Sequence, residues 1–346
     1  RLYEIATNWA GFRETLRLTL AEHAGDTERE MDILRETHHA QVFRLLAQDL
    51  AGLQTIEHLS DHLTELADTI VQETLPLCWK TIRNRHCETP KFAVIGYGKM
   101  GGKELGYASD LDMVYLFDDD DQDAGENYNR LGQRLNTWLS SQTSAGILFE
   151  TDLRLRPNGD SGLLAVSVDA FRDYQLKHAW VWEHQALSRA RFCAGDPAVG
   201  ERFEAIRIEI LRQQRDLTKL REEVIAMRRK MLDAHASHSE NEFDLKQDPG
   251  GIIDVEFIVQ YLVLGFAHQH AELTGNLGNI ALLRIAGELG LIQQPQAAAV
   301  GNAYREYRRL QHAKRLNANP QARNDRESLE KHIVAVNQLW QAIFID

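Results

Sequence analysis

Between two apolar segments, Phe92–Ile95 and Met113–Phe117, the chain places a glycine-rich stretch, Gly96 to Gly106, too short to carry a crossover helix. The letters Gly96-Tyr97-Gly98-Lys99-Met100-Gly101 match the dinucleotide-binding fingerprint after a strand, with Asp118 about 20 residues on. A dinucleotide fold needs a helix of about ten or more residues between its strands. Here only Gly102 to Ser109 remain, and Gly106 interrupts them. The doubly wound fold therefore fails on its connection. A Walker-type phosphate loop fails as well, because Lys103 is followed by Glu104 instead of Ser or Thr and the glycine spacing is wrong.

The residues after the glycines are chemically pointed. Asp110 and Asp112 flank Leu111 at strand spacing, so they share a face while Leu111 and Met113 enter the core. A further strand over Ile147 to Leu155 carries Asp152 on one face with Glu150 and Arg154. An Asp-x-Asp alone is an ordinary solvated strand end. Together with Asp152 and the small pair Gly101-Gly102, whose backbone N–H groups can approach a triphosphate, it makes a site for hard divalent cations and phosphoryl or nucleotidyl transfer.

The surroundings are helical. Residues 1–89 show two apolar stripes, Val42, Leu45, Leu46, Leu50, Leu53 and Leu59, Leu63, Leu66, Ile70, Val71, and end at Glu88-Thr89-Pro90. Residues 90–197 alternate short strands with an amphipathic helix through Tyr128, Leu131, Leu135, Trp138 and Leu139, after an acidic loop from Asp118 to Gly125. Residues 198–346 read as a helical bundle, with Leu217 to Leu232, Val255 to Val263, Leu282 to Leu289, Tyr304 to Leu316 and Ile333 to Phe344 as its helices. The expected class is α+β: a small mixed sheet with helices, between an N-terminal helical region and a C-terminal bundle.

Net charge narrows the partners. At -12 the chain does not present the basic surface that nucleic-acid backbones require. Three cysteines without a Cys-x-x-Cys pair read as a reducing compartment, and the best apolar run, Ile252 to Phe266, is broken by Asp254, Glu256 and Gln260. The expectation is a cytoplasmic piece of a longer protein, without nucleic acid or membrane as partner.

Longer stretches sharpen the reading. Gly96 to Asp112 (GYGKMGGKELGYASDLD), Asp152 to Leu164 (DLRLRPNGDSGLL), Trp182 to Arg191 (WEHQALSRAR) and Lys246 to Gln260 (KQDPGGIIDVEFIVQ) resemble the bacterial glutamine synthetase adenylyltransferase, a family with two homologous nucleotidyltransferase halves in one chain. In that family one half attaches AMP to a tyrosine of glutamine synthetase and the other removes it by phosphorolysis. GYGKMGGKELG and WEHQALSRAR are similar to the C-terminal, adenylylating half. The resemblance implies a nucleotidyltransferase fold, ATP as substrate, control by glutamine and the PII signal protein, and contact with the rest of the polypeptide. The deadenylylating half of the same enzyme, or an RNA-extending relative, are the alternatives. Where the wider superfamily has Gly-Ser, this chain has Gly101-Gly102, which leaves the contact to the backbone and Ser109.

Asp110, Asp112 and Asp152 are expected to hold magnesium, two ions in the two-metal scheme, with Asp152 accepting the phenol proton. Arg154 and Arg156, expected on one strand face, clamp phosphate oxygens. Four other features carry less. The loop from Asp118 to Glu126 lacks calcium-loop spacing and reads as solvated. His235 with His238, and His268 with His270, lack zinc spacing. Trp180 and Trp182 read as core. Gly250-Gly251 presents a helix start to a phosphate or makes a tight turn.

Overall fold

The computed structural model describes residues 7–234, 241–316 and 323–345, so His235 and His238 lie outside the described residues. The chain divides into two compact units, residues 1–178 with 190–206, and residues 179–189 with 207–346.

The first unit opens with helices α1 (Trp9–Glu22), α2 (Thr27–Leu50) and α3 (Ile56–Lys80), capped by the side chains of Asn8, Asp26 and Thr55, which accept backbone N–H groups of the first turn. The α3 stripe is as expected: Leu59, Leu63, Leu66, Ile70 and Val71 are all buried. Each such side chain contributes about 1.5–3 kcal/mol. The α2 stripe is so only in part, at Leu45 and the half-buried Val42. Leu50 is 69% exposed and Leu53 38%, while Glu30, Arg35, His38 and Gln48 are buried. The reason is what α2 meets. The wholly buried Arg35 donates to the carbonyls of Gly146 (2.8 Å), Trp138 (2.8 Å) and Ser141 (2.6 Å). The carbonyls at the end of the Ala124–Ser140 helix and in the half-buried loop after it need donors, so a polar residue replaces an apolar one on that face.

The sheet is built from β1 (Phe92–Gly96), a single helical turn α4 (Gly98–Gly101), β2 (Leu111–Phe117), α5 (Ala124–Ser140), β3 (Thr151–Asp152), β4 (Ala165–Ser167), α6 (Val168–Lys177) and β5 (Arg191–Gly195). β1 and β2 are antiparallel, from Phe92 opposite Phe117 to Gly96 opposite Met113. An antiparallel return needs only a turn, which is why the short glycine stretch suffices. β5 pairs antiparallel with β1 on the other edge, while β3 and β4 both run parallel to β2, at its start and its end. The sheet is therefore mixed, as expected. Its core is formed by Val94, Met113, Tyr115, Leu131, Leu135 and Trp138 against α3.

Two expectations fail here. The strand expected over residues 147–155 shrinks to Thr151–Asp152. Beyond Asp152 the chain turns, with Arg156 N–H donating to the Leu153 carbonyl (3.4 Å), then Pro157 and Asn158 at φ 62°. Arg154 and Arg156 thus do not follow Asp152 at strand spacing. The acidic loop is not wholly solvated either. The Asp119 side chain is 6% exposed, and Tyr128 Oη donates to it (2.8 Å) beside His86 Nε2 (3.0 Å) and Lys91 Nζ (3.5 Å).

The second unit contains α7 (Val181–Leu187), α9 (Leu217–Asp233), α10 (Ile252–Phe266), α11 (Asn279–Glu288), α12 (Gln294–Leu316) and α13 (Arg326–Phe344), with a ladder of β6 (Glu242–Asp244) and β7 (Arg323–Asp325); α8 (Pro197–Leu211) contains the division between the units. α10 is buried along nearly its whole length, so the apolar run broken by three polar residues is a core helix. Its polar residues have partners: Asp254 with Arg228, Glu256 with Arg189 (2.6 Å) and Gln260 with Gln185 (2.9 Å). Gly250, at φ 91°, donates its N–H to the Asp254 carboxylate (2.6 Å), so Gly250-Gly251 makes a tight turn. Trp180 and Trp182 are 68% and 38% exposed, contrary to expectation. Among the described residues no helix is long and apolar enough to cross a membrane.

Candidate active site

β2 and β3 bring two of the three aspartates side by side. In their parallel register Leu111 faces Thr151 and Asp112 faces Asp152, and Leu111 N–H donates to the Glu150 carbonyl (2.9 Å). Asp112 is half-buried on β2, and Asp110, exposed, lies one residue before the strand on the same face. The oxygens of the three do not all close to within 4.8 Å; among the described residues that distance is met by His86, Cys87 and Asp119. Three neighbouring carboxylates repel one another, so nothing within the trio itself draws them together.

A cationic group already sits on one of them. Arg154 Nε lies 3.0 Å from both oxygens of Asp152, and the Arg154 N–H donates to Oδ1 (2.9 Å). These hydrogen bonds hold the Asp152 carboxyl below the usual carboxylate range against a smaller opposing effect of burial. The Arg154 side chain is 74% exposed on a flexible stem. Arg156 is placed differently. It is buried, donates to the carbonyls of Leu153 (2.7 Å) and Gly162 (3.3 Å), and pairs with Asp160 (3.5 Å), which ties the turn after Asp152 together.

On the other flank of β2, Tyr97 N–H donates to the Asp112 carbonyl (2.8 Å) and starts the α4 turn. The N–H groups of Gly101 and Gly102 are used inside this turn, donating to the carbonyls of Tyr97 (2.8 Å) and Gly98 (3.0 Å). Both glycines are buried. The glycine that meets the carboxylate is Gly98. It has φ 53°, and a Cβ there would stand 2.2 Å from Asp112 Oδ2. Ser109 accepts the Gly106 N–H on Oγ (2.9 Å), which closes the loop that delivers Asp110.

Sequence reasoning missed two supports of this site. Gly98 was visible only as a letter of a rejected fingerprint. Arg191, opposite Gly96 in the β1–β5 register, donates to both oxygens of Asp68 (2.7 and 3.0 Å) and to the Met100 carbonyl (3.1 Å), bracing the α4 turn against α3. No periodicity announces such a residue.

The donor set of the aspartates is oxygen alone, which suits magnesium rather than softer metals. Comparison with known proteins bears on the rest. The profile of the glutamate-ammonia ligase adenylyltransferase family matches residues 2–206, more than half of the chain. The chain belongs to that family. The profile described as GlnD PII-uridylyltransferase matches residues 218–338. Curated relatives named bifunctional glutamine synthetase adenylyltransferase/adenylyl-removing enzyme are similar throughout. That of Aromatoleum aromaticum is 64% identical over 317 residues, covering 92% of this chain and 34% of the relative. Those of Chromobacterium violaceum and Nitrosomonas europaea are 54% and 56% identical, over 99% and 92% of this chain and 38% and 36% of their own lengths. The chain thus spans little more than a third of the length of the curated relatives it matches.

Proposed function

We propose that the chain transfers AMP from ATP to a tyrosine hydroxyl of glutamine synthetase, releasing pyrophosphate, as the C-terminal, adenylylating half of a bifunctional enzyme. The observation that carries this reading is Asp112 beside Asp152 on neighbouring parallel strands, with Gly98 against the Asp112 carboxylate. The wording of residues 96–106 and 182–191 supports the choice of half. On this reading residues 90–197 are the catalytic core, 1–89 its helical support and 198–346 a bundle. A cytoplasmic setting and control by PII and glutamine belong to the same proposal.

The acceptor phenol has an ordinary pKa near 10. Asp152 lies below its usual 3.8. Between ordinary phenol and carboxylate values direct proton transfer in the ground state spans about 6 pKa units, roughly 8 kcal/mol, and the lowering of Asp152 widens that gap. Asp152 takes the proton only as the oxygen–phosphorus bond forms. Before that it accepts a hydrogen bond from the hydroxyl and orients it. Asp112, Asp152 and Asp110 would hold magnesium, which lowers the phenol pKa and neutralises the departing pyrophosphate. The guanidinium on Asp152 is the kind of cation this carboxylate attracts, and Arg154 can exchange it for a phosphate oxygen, which it matches equally well. Gly101, Gly102 and Ser109 shape the turn and loop on either side.

The test is incubation with α-labelled ATP, magnesium and unmodified glutamine synthetase. Tyrosine-linked label is expected, and its loss in Asp112→Asn and Asp152→Asn with unchanged melting. Release of AMP from adenylylated glutamine synthetase with phosphate, without labelling, would assign the removing half instead. Absence of both reactions would refute the reading.

A further inference from the structure

His86, Cys87 and Asp119 meet within the first unit, at the far end of β2 from Asp110 and Asp112. The segment between α3 and β1 supplies the first two, and the loop after β2 supplies the third. Each offers a different ligand atom, and these atoms lie within 4.8 Å of one another. His86 Nε2 is 3.0 Å from Asp119 Oδ2 and 3.6 Å from Cys87 Sγ. In a tetrahedral zinc site, bonds run to about 2.3 Å for sulfur and about 2.0 Å for nitrogen or oxygen. Ligand atoms then stand about 3.5 Å apart for sulfur and nitrogen, and about 3.3 Å apart for nitrogen and oxygen. The separations here agree with those to a few tenths of an ångström.

The surroundings hold two of the ligands still and leave an entrance at the third. The side chains of His86 and Asp119 are 4% and 6% exposed, and the His86 ring packs edge-on against Trp79 (5.8 Å) and Tyr128 (5.1 Å). Tyr128 Oη donates to Asp119 Oδ2 (2.8 Å), and Lys91 Nζ lies 3.5 Å from Oδ1. Cys87 is half-buried, with Sγ 3.2 Å from the Thr89 carbonyl and 3.7 Å from Tyr128 Oη. Without an ion, Nε2 carries the imidazole proton and donates it to Asp119, while the Asn127 amide nitrogen faces Nδ1 at 3.1 Å. An ion on Nε2 shifts that proton to Nδ1. The Asn127 amide then turns over, giving up its 3.3 Å bond to the Asn84 carbonyl, and its oxygen accepts the Nδ1–H. Coordination also sheds the thiol proton. Thiolate and carboxylate together balance a dication, with the imidazole neutral. Sulfur and nitrogen donors in tetrahedral array select zinc over magnesium, and three protein ligands leave the fourth position to water or an incoming ligand.

We propose that His86, Cys87 and Asp119 form a zinc site, oriented by Asn127, that ties the segment before β1 to the loop after β2. The inference is independent of the transfer reading. The chelator-treated chain is titrated with cobalt(II), whose tetrahedral thiolate complexes absorb in the visible and add a sulfur-to-cobalt charge-transfer band in the near ultraviolet. A single equivalent is expected to give both. Zinc should displace it, and excess magnesium, which suits the aspartates, should not. Cys87→Ser should lose the charge-transfer band, and Asn127→Ala should weaken binding about ten- to hundredfold. Free zinc at about a hundred times its Kd should raise the wild-type Tm by about 5–10 °C and leave that of Cys87→Ser nearly unmoved. Zinc should also protect Cys87 from alkylation, read by peptide mass, in the wild type and not in His86→Gln. A wild-type chain without the charge-transfer band, a band that persists in Cys87→Ser, or wild-type alkylation indifferent to zinc would overturn the site and leave a hydrogen-bonded cluster only.

Discussion

Replacing Gly98 with alanine should stop AMP transfer with only a modest loss of stability. At φ 53° a residue with a Cβ is strained by about 1–2 kcal/mol. The new methyl would stand 2.2 Å from Asp112 Oδ2 and 3.1 Å from its Cγ, where ordinary contact begins at 3.4 Å. The carboxylate must therefore retreat by roughly 1 Å, and a displacement of that size costs about a hundredfold in rate. That is about 2.7 kcal/mol of transition-state stabilisation. The backbone strain alone lowers Tm by about 2–8 °C, taking roughly 2–4 °C per kcal/mol for a chain of this size. Gly25→Ala separates strain from collision. Gly25 has φ 91° and nothing within 4 Å of its Cβ position, so this variant should melt lower to a similar degree and keep its turnover. Label transfer from α-labelled ATP and thermal melts read both. If Gly98→Ala keeps more than about a third of wild-type turnover, or Gly25→Ala falls as far, the contact between Gly98 and Asp112 does not govern the chemistry.

Other expected outcomes concern the supports of the site. Arg191→Ala leaves the half-buried Asp68 without its guanidinium and should destabilise the chain by about 3 kcal/mol, the lower end for a broken buried pair, measured by denaturant unfolding; a change below about 1 kcal/mol would argue against the brace. Arg154→Ala should raise the apparent KM for ATP about tenfold and move the acid limb of the pH–rate profile upward, since Asp152 returns toward the ordinary carboxylate range; an unchanged profile would mean that the pairing plays no part in turnover. Burial pushes the Asp119 carboxyl up, but hydrogen bonds from His86, Tyr128 and the Asp121 N–H, with Lys91 nearby, outweigh it and set it at about 2 against a usual 3.8. A depressed carboxyl stabilises the fold above the unfolded value and loses that contribution as pH falls from about 4 to 2, roughly 2 kcal/mol in all. Asp119→Asn should lower unfolding free energy at pH 7 by about that amount and flatten the acid loss; a wild-type pH dependence would contradict this.

Much of the fold was legible because it rests on burial alone. The α3 stripe, the β1–β2 return and the long apolar α10 all announce themselves by period or by length. What escaped depends on polar contacts made across long sequence separations. The buried face of α2 is set by Arg35 reaching carbonyls more than a hundred residues away. The third strand ends at Asp152 because Arg156 turns back on Leu153, which no alternation pattern encodes. At the site, the spacing of Asp110 and Asp112 was readable, whereas the place of Asp152 beside Asp112 is set by the short β2–β3 pairing. The part of Gly98 was not readable, because its conformation and its neighbour emerge only when β1 and β2 pair.

Diffraction from crystals grown with manganese and a non-hydrolysable ATP analogue would decide whether Asp112 and Asp152 share a metal. An anomalous peak is expected within about 2.0–2.3 Å of oxygens from both carboxylates, with Arg154 moved from Asp152 to a phosphate. A nucleotide bound with no peak between them, or with Arg154 still seated on Asp152, would contradict the two-aspartate site.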